Sequence, residues 1–361
     1  MVSVQSTRPQ TLAGPVRTDR SVALWLLVIA AMIAAMVVVG GLTRLTDSGL
    51  SITEWRPVTG AIPPLSEADW QAEFAKYQGT TQFEAINRGM GLAGFKSIYL
   101  WEWTHRFLGR LIGFVFLIPF VYFVAKRRID RALASRLVVI FLLGAAQGAL
   151  GWWMVQSGLV GRVSVSQYRL AAHLGLAFLL FGYLLWTAFE VLGLSRETAP
   201  AVNRLRAASV ALAVLVFVQI LLGAFVAGLD AGHAFADWPT FGGRFIPPGL
   251  FDLMPWWSNF FENHALAHFQ HRNVGYLTAA LAIFLFVRLR GAGASKPTRI
   301  AGVHVVAIVA LQIMLGILTV VTQVSLPMAA LHQITALALF GASLWLVYVL
   351  STPASPDRDR R

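Results

Sequence analysis

Four histidines in this chain of 361 residues fall into two copies of one short pattern. His105 is followed directly by Arg106 and, four residues after the histidine, by Gly109. His271 repeats this arrangement 166 positions further on. A second histidine follows each copy: His173 in the first and His332 in the second. All four stand near the edge of a long apolar run, where an ionisable side chain is usually functional. Because imidazole is the commonest metal ligand among side chains, the two pairs predict two metal sites.

The composition identifies the chain as an integral membrane protein. It is 57% hydrophobic and only 13% charged, and its mean hydropathy of +0.65 lies far outside the range of soluble proteins. A helix needs about 20 apolar residues to cross a bilayer. The sequence has eight such stretches, which predict an all-α fold with eight transmembrane helices at residues 22–43, 101–124, 136–156, 170–192, 206–228, 266–288, 300–322 and 329–351.

Membrane topology explains the net charge of +12, which therefore does not indicate nucleic acid as a partner. Basic residues accumulate on the cytoplasmic side of membrane proteins. Here they lie at both termini and in alternate connections, at Arg8, Arg17 and Arg20; Lys126, Arg127, Arg128, Arg131 and Arg136; Arg196, Arg204 and Arg206; Arg288, Arg290, Lys296 and Arg299; and Arg358, Arg360 and Arg361. Both termini are predicted to be cytoplasmic. We expect a bacterial inner membrane, with the mitochondrial inner membrane as the second choice. The absence of cysteine excludes thiolate metal ligands, iron–sulfur clusters and disulfides.

The chain is built from two similar halves. An Asp-x-Gly motif that follows the first predicted span at Asp47 recurs at Asp230, and a Gln-x-x-x-Gly motif at Gln147 recurs at Gln312. Four spans in each half make a parallel repeat, with its pseudo-axis along the membrane normal. The predicted units are a cytoplasmic tail at 1–21, a four-helix half at 22–192, a cytoplasmic linker at 193–205, a four-helix half at 206–351 and a cytoplasmic tail at 352–361. The intramembrane glutamines are interpreted as packing contacts or as functional groups, and both readings stay open.

Long connections on the outer side separate the first two spans of each half. Residues 44–100 contain a capping-box pattern at Ser66–Asp69, followed by aromatic residues on one helical face. This pattern predicts a short amphipathic helix lying on the outer surface. Residues 229–265 carry aromatic residues that suit the membrane interface.

The histidine pairs predict haem iron because the two histidines of each pair lie at equal depth in the membrane. Each lies near the start of a span that begins on the outer side, and two imidazoles at one depth inside a four-helix bundle are an established way to ligate haem. A zinc site would need further ligands at close spacing. Arg106 and Arg272 follow the histidines on the outer side, where they are candidates for haem propionates. Snorkelling to lipid phosphate is the alternative for both arginines.

The two halves differ one helical turn before the first histidine. Glu102 stands three residues before His105, whereas His268 occupies the matching position before His271. A carboxylate at membrane depth is costly and is usually retained for function. This mismatch predicts one reacting site, with Glu102 as its acid or base, and one electron-transfer or structural site.

At these residues the sequence resembles the heme A synthase family, whose members oxidise a methyl group of haem O to the formyl group of haem A through an alcohol. The likeness covers nearly the whole chain and includes the run from Gly40 to Thr46, the Glu102-x-x-His105-Arg106 motif, His173, His271-Arg272 and His332. It looks closest to the proteobacterial and mitochondrial branch, because the cysteine pairs of other members are missing here.

The resemblance implies a division of labour between the halves. The first half would receive haem O between His105 and His173, with Glu102 as the catalytic carboxylate. The second would hold haem B through His271 and His332. Haem O would be delivered by a haem O synthase, the electron partner is unidentified, and a homo-oligomer stays open.

Two other functions are alternatives to this one. A di-haem cytochrome b would stack its haems across both leaflets, whereas all four histidines here are predicted near one face. A haem carrier or exporter would have two functionally alike halves, which the mismatch of Glu102 and His268 disfavours. Among the remaining histidines, His304 is expected at the cytoplasmic membrane interface, and His233 and His264 are assigned no role.

Overall fold

The computed structural model describes residues 19–351 and is almost entirely helical over that range. Its only β-type pairing there is an isolated bridge between Phe241 and Arg244. The described chain has eleven α-helices: α1 (Arg20–Leu45), α2 (Glu67–Gln78), α3 (Leu92–Ala125), α4 (Arg131–Leu159), α5 (Gln167–Leu192), α6 (Pro200–Asn203), α7 (Arg206–Gly228), α8 (Asn259–Glu262), α9 (His264–Gly291), α10 (Lys296–Val321) and α11 (Leu326–Val349). Eight are long and apolar enough to cross a membrane: α1, α3, α4, α5, α7, α9, α10 and α11. The predicted multi-pass helical fold is therefore confirmed.

The predicted spans agree with these helices within four residues at either end, except for α3 and α4. The prediction for α3 was wrong at its start, because the helix begins at Leu92 rather than at 101. The prediction for α4 missed five residues at its start, which lies at Arg131. Both extra segments are less apolar than the spans they extend. Hydropathy locates the part of a helix that fits the bilayer core, whereas the helix itself continues wherever its backbone is capped and packed.

The extension of α3 forms the floor on which α2 packs. Asp69 and Ser66 make the predicted capping box at the start of α2. The amphipathic helix is present, and its aromatic face packs against the start of α3; its place on the outer surface stays a prediction. Phe74 lies 5.0 Å from Phe95 between ring centroids, and Tyr77 lies 5.4 Å from the same ring. Burial of aromatic rings at such distances stabilises the pairing of the two helices.

The transmembrane helices form two four-helix bundles with the same neighbour relations. In the first bundle, α1 and α4 each pack against both α3 and α5, so α3 and α5 lie on a diagonal. In the second bundle, α7 and α10 each pack against both α9 and α11, which are likewise diagonal. The bundles meet through α5 with α7, α1 with α11, and α5 with α11. This pattern is consistent with two tandem repeats related by a pseudo-two-fold axis.

One arginine joins the halves at the end of the molecule that carries the long connections at 46–91 and 229–263, hereafter the long-loop end. Arg44 donates to Asp47 Oδ1 at 3.2 Å and to Asp230 Oδ1 at 2.7 Å. These aspartates are repeat equivalents, and both have left-handed backbones, with φ of 51° and 54°. A single guanidinium thus binds the same turn from both halves.

A buried glutamate fastens the linker at the opposite end. The Glu197 carboxylate accepts hydrogen bonds from Ser295 N, Thr298 Oγ1, and the amides of Thr198 and Ala199, all between 2.9 and 3.1 Å. Burial alone would raise the pKa of Glu197, but these hydrogen bonds favour the ionised form and lower it to about 2. The linker is therefore held against the start of α10.

Candidate functional site

Each of the four predicted histidines lies against a glycine of a neighbouring helix. A Cβ atom built on any of these glycines would stand only 2.8–3.1 Å from the nearest imidazole atom, closer than ordinary van der Waals contact. The pairs are His105 with Gly40, His173 with Gly151, His271 with Gly223 and His332 with Gly316. Only glycine leaves the imidazole in its present place. The sequence repeat included these glycines, but their contacts with the histidines could not be seen in it.

The second-half histidines face each other across their bundle. The rings of His271 and His332 have centroids 6.2 Å apart and planes inclined by 77°. A metal-bound imidazole nitrogen stands about 2.0–2.1 Å from a first-row metal, so one ion between two rings separates their centres by roughly 6 Å. The separation of the two rings would therefore fit two imidazole ligands of one metal ion. His105 and His173 lie on the equivalent diagonal helices of the first bundle.

All four histidines lie toward the long-loop end. His173, His271 and His332 follow the first residue of their helices by six or seven positions, whereas His105 follows the start of α3 by thirteen. The difference arises because α3 carries its packed extension. Within residues 19–351, no three His, Cys, Asp or Glu side chains form a metal-binding cluster. No third side chain of these types therefore joins either histidine pair within the described residues.

Three glutamines contact three of the histidines, each from one helical turn before the facing glycine. Gln147 Nε2 donates to the carbonyl oxygen of His173 at 2.8 Å. Gln219 Nε2 donates to the carbonyl oxygen of His271 at 2.8 Å and lies 3.1 Å from its Nδ1. Gln312 Nε2 lies 3.3 Å from Nε2 of His332. The Oε1 atoms of all three are buried without a hydrogen-bond partner. A metal-ligating imidazole needs an acceptor for its second N–H, and these oxygens are suitable acceptors.

Glu102 is buried, and its carboxylate accepts four hydrogen bonds. Oε2 accepts from Ser51 Oγ at 2.8 Å and from the backbone amide of Ile52 at 2.9 Å. Oε1 accepts from Arg106, at 2.6 Å from Nη2 and 3.1 Å from Nε. Arg106 also donates to the carbonyl oxygens of Ile52 and Glu54. Both predicted site residues are therefore bonded to each other and to the loop at 51–54.

Arg110, which the sequence analysis missed, extends this set by one further turn. It donates to the carbonyl oxygens of Arg56 at 2.9 Å and Pro57 at 2.8 Å. Glu102, Arg106 and Arg110 follow one another at intervals of four, so they lie on one face of α3. This spacing was the available signal. Together they hold the loop at 51–57 along the helix.

The second half uses the equivalent positions with different chemistry. His268 Nε2 accepts from Arg272 Nε at 3.1 Å. Arg272 also donates to the carbonyl oxygen of Thr240 at 2.8 Å. Tyr276, the counterpart of Arg110, accepts from Trp238 Nε1 at 2.9 Å. The Arg272 Nη2 atom is buried without a partner among the described residues. Arg272 therefore keeps a free donor, whereas Arg106 uses Nε, Nη1 and Nη2 on protein acceptors.

A charged cleft of about 440 Å³ opens beside Arg106 at the long-loop end. Glu54, Glu73 and Lys76 line it together with Arg106 and Arg110. Lys76 donates to Glu73 at 2.8 Å and forms an ion pair with Glu54 at 3.1 Å. The hydrogen bond from Lys76 outweighs burial and lowers the pKa of Glu54, so this carboxylate remains ionised. The cleft gives the loop that binds Glu102 a polar, solvent-facing side.

The other histidines lie away from the two pairs. The exposed side chain of His304 places Nδ1 2.8 Å from the carbonyl oxygen of Ile300, and its ring lies 5.6 Å from Trp345. His233 ends a short turn, and His264 begins α9. None of the three contacts the paired histidines.

Comparison with known proteins agrees with this architecture. The sequence profile of the cytochrome oxidase assembly protein family matches residues 23–344. The chain belongs to this family. It is 50% identical over 331 residues to a protein of Parvibaculum lavamentivorans named Heme A synthase. The aligned region covers 92% of this chain and 94% of that protein. A Heme A synthase of Paracoccus denitrificans is 52% identical over 336 residues, covering 91% and 87% of the two chains. A third, from Nitrosospira multiformis, is 47% identical over 349 residues, covering 96% and 98%.

Proposed function

We propose that the protein is a haem A synthase, an oxidoreductase that converts a methyl group of haem O into the formyl group of haem A through an alcohol. The observation that carries the proposal is the pair of histidines in each bundle, set on diagonal helices and each facing a glycine. Identity of about 50% to proteins named Heme A synthase supports it. In balanced form, the methyl group and water give the formyl group, four protons and four electrons.

The two pairs are assigned different haems. His105 and His173 hold the substrate haem O, because the carboxylate Glu102 lies one turn from His105. His271 and His332 hold haem B, and their 6.2 Å ring separation fits one iron. Bound there, haem B supplies one-electron transfer. Arg272, with its unpartnered Nη2, is the stronger candidate for a propionate contact, and Arg106 is the candidate in the first half.

Glu102 is proposed as the acid or base of the first site. Its two carboxylate oxygens already accept four hydrogen bonds, from Ser51, Ile52 and Arg106. To accept a proton from the substrate side, Glu102 must release one of these donors. The Ser51 hydroxyl is the easiest to release, because it can rotate away without moving the backbone. The same bonds also fix the loop at 51–57 over this end of the bundle.

The proposed setting is a bacterial inner membrane with both termini in the cytoplasm. The basic residues of the short connections support this orientation by the positive-inside rule. The long-loop end and both haem sites then lie near the periplasmic side. Haem O would come from a haem O synthase, and electrons would leave to an acceptor outside this chain.

The test is expression of the full chain in a host that makes haem O but has no haem A synthase of its own, followed by extraction and chromatography of the haems. Haem A is expected with the natural sequence. Glu102→Gln keeps the side-chain shape but removes its charge and basicity, so haem A formation is expected to fall by at least 100-fold. Glu84→Gln is the matched control, since the side chain of Glu84 is exposed and pairs with Arg88 at the surface.

Further variants test the second site. His271→Ala and His332→Ala are each expected to deplete haem B, because each removes one of the two histidines that would hold it. If the natural sequence yields no haem A, the proposal is wrong. Haem B alone in the purified protein would favour the di-haem cytochrome b.

A further inference from the structure

Three of the four glycines that face a histidine have a glutamine one helical turn before them, and the fourth does not. Gln147, Gln219 and Gln312 each stand four residues before the glycine that faces a histidine. The same position before Gly40 is Met36. The thioether of methionine has no hydrogen to donate and is only a weak acceptor. Among the four paired histidines, only His105 faces a glycine that has no glutamine four residues before it.

Met36 and Gln219 occupy equivalent places in the two bundles. They are separated by 183 positions in the sequence, and Gly40 and Gly223 are separated by the same interval. A Cβ atom on Gly109 would lie 3.2 Å from Met36 Cε, and one on Gly275 would lie 3.4 Å from Gln219 Nε2. Gly109 and Gly275 follow the repeated His-Arg pairs by the same interval. At this shared position the two halves therefore carry side chains of different chemistry.

The ring of His105 also presents a different edge to its glycine. At Gly40 the nearest atoms are Nε2 at 2.9 Å and Cδ2 at 3.3 Å. At the other three glycines the nearest atoms are Cε1 and Nδ1, in that order. A half-turn of the imidazole about its bond to Cβ interchanges these edges. Hydrogen bonds to the second nitrogen are what fix the orientation of a ligating imidazole.

We infer that Met36 makes His105 the labile ligand of the first site, whereas Gln219 fixes His271 at the second. This inference rests on the proposed function, in which the first site must release its haem after each turnover and the second retains its own. Met36 and Gln219 are positioning residues, because they act through the histidines. A partner that orients a metal-ligating histidine typically changes metal affinity by about 10–100-fold.

The test exchanges the two side chains and measures haem release. Full-length protein from the haem O-producing host is mixed with excess apomyoglobin, and the haems it retains are extracted and separated over time. Haem O and haem A report the first site, and haem B reports the second. Met36→Gln is expected to slow release of haem O and haem A by about 10-fold or more, and to strengthen their low-spin absorption bands. Gln219→Met is expected to speed release of haem B by a similar factor.

Met32→Gln is the matched control, because Met32 lies one turn before Met36 in α1. The same amide is then placed one turn further from Gly40. It is expected to release both haems as the natural protein does. The inference is overturned if Met36→Gln behaves like this control, or if Gln219→Met leaves haem B release unchanged. Failure of the proposed function gives a different result, a preparation holding haem B alone. With haem B in both sites, its release has a faster and a slower phase, one for each site. Met36→Gln is then expected to slow the faster phase and Gln219→Met to speed the slower one, and an unchanged phase in either variant overturns the inference.

Discussion

The contact between Gly151 and His173 makes a single methyl group a sensitive probe of the first site. In Gly151→Ala, the new Cβ would stand 2.8 Å from His173 Cε1, whereas ordinary contact begins at 3.4 Å. The imidazole or its helix must therefore move by about 0.6 Å. Overpacking of this kind costs about 1–3 kcal/mol, and ligands must be held within about 0.5 Å for a site to work. We expect a loss of haem O and haem A from the purified protein of about 10-fold or more.

A neighbouring glycine on the same helix supplies the control. A Cβ atom on Gly148 would meet nothing within 4 Å. Alanine inside a helix is favoured over glycine by about 0.5–1 kcal/mol, so Gly148→Ala is expected to retain its haem and to melt no lower than the natural protein. Haem content per protein and thermal unfolding followed by circular dichroism are measured for both variants. If Gly151→Ala binds haem as Gly148→Ala does, the glycine does not position His173 and the reasoning is refuted.

Three further predictions concern the parts that hold the halves and the loop in place. Because the pKa of Glu197 is lowered to about 2, its ionised form stabilises the fold above about pH 5, and this stability is lost as the pH falls toward 2. Glu197→Gln should unfold with a weaker pH dependence across that window in thermal melts, and an unchanged dependence would contradict the assignment. Arg110→Ala frees the carbonyl groups of Arg56 and Pro57, so limited proteolysis should cut the loop at 51–57 faster, whereas Arg88→Ala should leave the cutting rate as it is. Arg44→Ala should cost no more than about 1 kcal/mol, since its partners are largely exposed, and should cost less at high salt; a salt-independent loss would show that the ion pairs are not its cause.

The sequence was sufficient to predict the eight spans, because apolar length is a local property. The bounds of α7 agree with the prediction at both ends, at Arg206 and Gly228. The start of α3 could not be predicted in the same way, since residues 92–100 are held in the helix by packing against α2. That contact joins segments that hydropathy treats separately.

The candidate site was predictable in its residue types but not in its contacts. The repeat identified the four histidines and the mismatch between Glu102 and His268. It did not reveal that Glu102 binds the loop through Ser51 and Ile52, because a hydrogen bond between distant segments leaves no periodic signal. Met36 escaped notice for a related reason. A methionine in an apolar helix is unremarkable until its repeat partner is seen beside a histidine.

The arginine that joins the two halves has a consequence for how the protein can be divided. Arg44 binds Asp47 and Asp230, but the second half has Ala227 where the first has Arg44. Two copies of the second half would bring two Asp230 carboxylates together with no cation between them, and like charges repel. The first half therefore pairs with the second half better than the second half pairs with a copy of itself. A gene split within the linker at 193–205 should yield fragments that assemble as unlike pairs.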